Sequence, residues 1–156
     1  MRVSTIRSRI GCARWAALFV AIAANGAAAQ SLTISGPVSA PLRITTAAAG
    51  SAPTPRTDNT TTYTVKTTNG NPKKITATIN SAMPVGTTLQ IALAAVTGSV
   101  GVAPVTLSTT AQTVLTNITT TANRTGGITY TFSATPAAGV ITSTTRIVTF
   151  TLVAYP

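Results

Sequence analysis

From residue 61 onward, apolar and polar residues alternate with a period of two in stretch after stretch, and that pattern confines the chain to strands buried on one side. Over 61–66, Tyr63 and Val65 face one way while Thr62, Thr64 and Lys66 face the other; Ile75, Ala77 and Ile79 repeat the arrangement over 73–80. Leu89, Ile91 and Leu93 continue it, then Ile128, Tyr130, Phe132 and Ala134, and finally Val148, Phe150, Leu152 and Ala154. Shorter strands are predicted at 105–107 and 113–115. Threonine, the commonest residue in these runs, is branched at Cβ and suits a half-buried extended surface.

Turn residues punctuate the runs at 81–86, 98–104, 124–127 and 136–139, and no window shows a helical stripe. Asn69-Gly70, between the runs at 61–66 and 73–80, predicts a hairpin that pairs them. Short strands between Gly/Pro-rich turns read as an all-β fold: an immunoglobulin-like antiparallel β-sandwich of about seven to nine strands.

The first 29 residues are of another kind. Arg2, Arg7, Arg9 and Arg14 lead into an apolar run from Trp15 to Ala24, and Ala27 and Ala29 complete an A-x-A site. This is the pattern of a cleaved signal peptide, with an apolar stretch of about 10 residues where a membrane-spanning helix needs about 20. Cys12 precedes the apolar run and Ser8 separates Arg7 from Arg9, which disfavours lipoprotein and twin-arginine signals. The expected division is signal peptide 1–29, N-terminal strand segment or arm 30–46, linker or long loop 47–59, and sandwich body 60–156. Within the arm, Leu32 and Ile34 alternate, then Leu42 and Ile44; Gly50, Pro53 and Pro55 mark the linker. The arm reads either as a free segment or as the first strand or two of the sandwich itself.

Export of residues 30–156 implies a periplasmic, secreted or cell-surface protein with no transmembrane segment in the mature chain. Its one cysteine leaves with the signal. Seven basic residues then face one acid, Asp58, and the formal charge falls from +10 to +6. Nucleic acid is not an expected partner, because the basic residues are not interleaved with stacking aromatics.

The mature sequence contains no His, Cys or Glu and a single Asp. Acid–base catalysis draws on His or paired carboxylates, zinc on Cys, His or carboxylate, and calcium on carboxylate-rich loops. The expectation is a non-enzymatic chain with no cofactor and no metal. A Ser-Lys dyad at Lys73 or Lys74, or a Lys–Asn cross-link assisted by Asp58, would need desolvated lysines, whereas lysines beside a turn are solvated. Lys66, Lys73 and Lys74 flank the expected hairpin turn, where they guard an exposed strand against edge pairing or contact an anionic envelope glycan.

Val148, Phe150 and Leu152 lead up to a penultimate aromatic, Tyr155. This ending resembles the subunits of chaperone-assembled pili, including the secreted spore-coat-U-like group. The resemblance implies an incomplete immunoglobulin-like sandwich whose C-terminal strand is presented to a periplasmic chaperone. It also implies that each copy is completed by the N-terminal arm of another, with Leu32 and Ile34 filling pockets. The chain departs from that group in lacking its disulfide, in having Ser143 where a glycine is common, and in ending on Pro156. The expected function is that of a structural or adhesive surface protein that self-associates. The alternative is a monomeric periplasmic or extracellular glycan- or envelope-binding module.

Overall fold

The computed structural model describes residues 30–36, 42–45, 50–68 and 71–156. Residues 1–29, where a signal peptide is expected, and the Asn69-Gly70 pair lie outside the described residues. The described chain is all-β, with nine strands in two antiparallel sheets and no α-helix.

Sheet A runs β1 (Ser31–Ser35), β2 (Arg56–Lys66), β8 (Arg124–Ala134), β4 (Thr87–Leu93) and β6 (Val105–Thr106). Sheet B runs β5 (Val100–Gly101), β7 (Gln112–Ile118), β3 (Lys73–Ile79) and β9 (Val148–Ala154). A short 3-10 turn, Pro136–Ala138, follows β8. The core lies between the sheets: Tyr63 and Val65 of β2, Leu89 and Ile91 of β4 and Ile128 of β8 meet Ile75 and Ile79 of β3 and Leu115 of β7. All but Leu115 are inward positions of the period-two pattern, and burying each large aliphatic side chain contributes about 1.5–3 kcal/mol.

Three expectations are corrected. The runs at 61–66 and 73–80 do not form a hairpin, since β2 belongs to sheet A and β3 to sheet B. Six residues, 67–72, separate them, enough to cross the roughly 10 Å between packed sheets, whereas the favoured Asn-Gly hairpin has only two. Thr67, wholly buried, anchors the crossing: its N–H and hydroxyl donate to Thr120 O at 2.8 and 2.9 Å. Second, residues 124–127 are strand, not turn, because Gly126 and Gly127 continue β8 opposite Tyr63 and Thr62. Third, the strand that includes Tyr63 begins at Arg56, inside the stretch read as linker. A shift of register between Asp58 and Thr61 lets it run on through that polar sequence. Asp58 Oδ1 there accepts from the N–H and the hydroxyl of Thr60, at 3.0 and 2.7 Å.

β7 also exceeds its expected span. Register shifts against β3 place both Val114 and Leu115 in the core, so its pattern is not a simple alternation.

Candidate functional site

Among the described residues β1 and β9 are edge strands, one of each sheet, and the seam between them is open. β1 pairs antiparallel with β2 through all five residues, with Leu32 opposite Val65 and Ile34 opposite Tyr63. Directly opposed residues share a face, so Leu32 and Ile34 point toward the core. Yet Ile34 remains 38% exposed, because little of sheet B lies over it.

On the other side of the seam, Val148, Phe150 and Leu152 of β9 are only half-buried, whereas the inward residues of β3 beside them are closed off. Phe132 near the end of β8 is likewise half-buried. The result is an apolar cleft of about 1600 Å³, walled by Leu32 and Ile34, by Tyr130 and Phe132, and by Phe150 and Leu152. Leu42 and Ile44, outside any strand, also line it, as do residues 139–146. Arg146 pins that last stretch. Its Nε and Nη2 donate to Ala82 O at 3.1 and 2.7 Å, and its Nη1 donates to Thr145 O at 3.0 Å.

The backbone of β9 makes the cleft more than an apolar hole. Asn80 N donates to Ile147 O and Tyr155 N to Pro72 O, so the hydrogen-bonded pairs with β3 fall on odd-numbered positions of this stretch. Thr149, Thr151 and Val153 therefore turn their amides and carbonyls toward β3. Val148, Phe150, Leu152 and Ala154 direct theirs away, along the unpaired edge. The same residues whose side chains face the cleft carry the outward-directed backbone groups beside it.

The walls also carry polar side chains, among them Arg43 and Arg146 and the hydroxyls of Thr142, Ser143, Thr144 and Thr145. Thr61 Oγ1 is buried and has no hydrogen-bond partner among the described residues. The Tyr130 phenol is pushed up to about 12, by burial first and by the Asp58 carboxylate second. The cleft is suited to apolar side chains in an extended backbone, and offers no acid–base pair. Among the described residues no three His, Cys, Asp or Glu side chains are grouped to hold a metal ion, and no helix is long and apolar enough to cross a membrane.

The structure brings Leu32, Ile34, Val148, Phe150 and Leu152 to one place; Tyr155, 39% exposed, lies just beyond the end of β9. It does not bring Lys66, Lys73 and Lys74 together on one hairpin. Lys66 has the outward parity of sheet A and Lys74 that of sheet B, so they look away from opposite faces, while Lys73 has the parity of Ile75 at the first position of β3. Sequence reasoning missed Phe132, Leu42, Ile44 and Arg146 as parts of one site. Their apolar or basic character was readable, but their convergence depends on which edges the topology leaves unpaired. No family model, no curated protein and no solved structure matches this chain.

Proposed function

We propose that the chain is an exported, non-catalytic structural or adhesive protein of the cell surface, a pilin-like immunoglobulin-like sandwich that assembles by β-strand addition. The observation that carries this reading is the seam beside β9, where a free backbone edge and an apolar cleft coincide. An extended segment with alternating apolar side chains satisfies both at once. A lipid or other hydrocarbon would fill the cleft and leave the β9 amides and carbonyls without partners.

Part of the strand order supports the immunoglobulin-like assignment. Lettered as in such domains, β1-β2-β8-β4 takes the order A-B-E-D and β3 beside β9 the order C-F, while β5, β6 and β7, inserted between D and E, are additions to that scheme. The place of strand G, next to F, is then the free edge of β9. The glycan-binding alternative gains little support from the aromatics: Tyr63 and Tyr130 are in the core and Phe132 and Phe150 line the seam, so that among the described residues Tyr155, just beyond the end of β9, is the one exposed aromatic ring.

The test is light scattering with size exclusion on residues 30–156 over a wide concentration range, with negative-stain microscopy of the same fractions. Oligomers or filaments that grow with concentration are expected. A sharp monomer at every concentration overturns the assembly reading.

A further inference from the structure

The free edge of β9 runs from Val148 to Ala154, and its ladder with β3 has no register shift. Among the described residues it is the longest edge strand, with seven residues against five in β1 and two each in β5 and β6. Exposed edges are ordinarily guarded by a charge, a proline or a bulge. Between Ile147 and Tyr155 there is none of these. The nearest charge, Arg146, is drawn back onto Ala82 O. Residues 30–156 carry seven basic side chains and one acid, so most faces of two copies repel each other; along β9 they can meet with no like charges opposed.

Two exposed apolar side chains bracket this edge. Ile147 is 61% exposed and Tyr155 39%, and each lies four positions from Thr151. The bonds from Asn80 N to Ile147 O and from Tyr155 N to Pro72 O keep both residues in step with the β3 ladder. They therefore share the outer-face parity of Thr151.

Resting on the assembly reading, we infer that the strand added at β9 is the β9 of a second copy, antiparallel and related by a two-fold axis at Thr151. Only even-numbered residues direct amides and carbonyls along the free edge, so only they can form hydrogen-bonded pairs across it. An axis at Thr151 pairs Val148 with the second copy's Ala154 and Phe150 with the second copy's Leu152. Every outward-directed group from 148 to 154 is then matched, whereas a slip of two residues leaves Val148 or Ala154 beyond the end of the opposing strand. The same axis sets Ile147 against the second copy's Tyr155, once on each side, and Thr151 against its own counterpart. These are non-hydrogen-bonded pairs, in which side chains approach most closely.

On the inner face, Phe150 and Leu152 of each copy come to lie beside those of the other. The two open seams then face one another, and side chains left half-buried in one copy are covered by the next. The four-stranded sheet B of each copy continues into that of its neighbour. The symmetry is closed: each β9 edge is occupied by the other, and growth past the dimer has to use a different edge.

The test places charges and a thiol on the axis. Thr151 is exposed with its side chain on the outer face, so substitution there leaves the core and the β3 ladder in place. Thr151→Lys and Thr151→Glu each oppose like charges across the axis. Each is expected to be monomeric by light scattering at concentrations where unsubstituted residues 30–156 are dimeric, with an unchanged urea midpoint. Mixing the two variants is expected to restore the dimer, which misfolded chains could not do. Thr151→Cys, in residues that otherwise contain no cysteine, is expected to give a disulfide-linked dimer on mild oxidation, because Cα atoms so paired are about 4.5 Å apart. Thr149→Cys, which faces the second copy's Val153 and not its own counterpart, is expected to stay unlinked.

Charged variants that stay monomeric when mixed overturn pairing through β9, as does cross-linking of Thr149→Cys as readily as Thr151→Cys. If residues 30–156 associate and the separate Lys and Glu variants associate equally well, pairing through β9 falls while assembly through another edge stands. If no form associates and no linked dimer appears at any concentration, both readings fall.

Discussion

A Cβ built on Gly126 would lie 2.6 Å from Cε1 of Tyr63, its partner across the β2–β8 ladder, and 2.8 Å from that ring's Cζ and Oη. The Tyr63 ring occupies the space a side chain at 126 would need, and its hydroxyl donates to Ala94 O. A glycine within a strand lacks side-chain packing of its own, and close approach by a neighbouring group is one reason it is kept.

Gly126→Ala is expected to destabilise the fold by about 1–3 kcal/mol, the usual cost of overpacking. Gly127→Ala, where a Cβ would meet nothing within 4 Å, serves as the control and is expected to be nearly neutral. Urea denaturation followed by intrinsic fluorescence reads both. Equal effects would refute the steric account.

Tyr63→Phe keeps the ring and removes the hydroxyl, leaving Ala94 O without this donor. A loss of about 1–3 kcal/mol is expected, the range for a buried group deprived of its partner. The loss should be much reduced in a Tyr63→Phe/Gly126→Ala background, since both changes disturb one contact; simple additivity in a double-mutant cycle would argue against it.

The Tyr63 phenol is pushed up to about 12 by burial, and the Tyr130 phenol to about 12 by burial and then by Asp58. Both values lie above the ordinary value of 10, so the folded state favours the neutral form of each. Their contribution is fully present below pH 10 and disappears as pH rises through about 12. Unfolding midpoints in urea should hold steady up to about pH 9 as far as these groups are concerned and fall between about pH 10 and 12. A Tyr63→Phe variant should show a shallower fall over that window.

Phe150 on β9 and Ile75 on β3 both face inward, but only Ile75 is fully covered. Ile75→Ala should cost about 2–5 kcal/mol; Phe150→Ala should cost less than the about 3–5 kcal/mol of a fully buried phenylalanine. Phe150→Ala should also weaken binding of an apolar fluorescent dye to the native protein, whereas a cleft closed in solution would give no dye signal to lose.

Arg146→Ala removes two hydrogen bonds to Ala82 O. The expected loss is modest, about 1 kcal/mol, with faster proteolysis of residues 139–147 as its distinctive mark. Unchanged cleavage there would show that Arg146 does not hold the segment.

The inward residues of β2, β3 and β4 were legible in the sequence, because period two fixes their faces wherever pairing is regular. The β7 core was not, since a shifted register puts adjacent Val114 and Leu115 on the same side. The Asn69-Gly70 signal misled because a turn motif says nothing of the length around it, and a six-residue passage leads to the other sheet. Gly126 and Gly127 looked like a turn for a related reason: what holds them in a strand is ladder pairing with Tyr63 and Thr62, about sixty positions away. The alternation of Val148, Phe150 and Leu152 placed them inward, but their half-exposure follows from β9 being an edge, a property of the strand order and not of β9 itself.

That strand order also sets a timetable. β2 finds its central partner in β8 and β3 one of its two neighbours in β9, so each of these early strands waits for residues beyond 123 or 147 before its ladder is complete. Pairings between such distant segments close large loops and form slowly. Until the last strands emerge, Tyr63, Val65, Ile75 and Ile79 have no finished surface to pack against. Folding is therefore committed late, once the residues beyond 147 are available to close the second sheet.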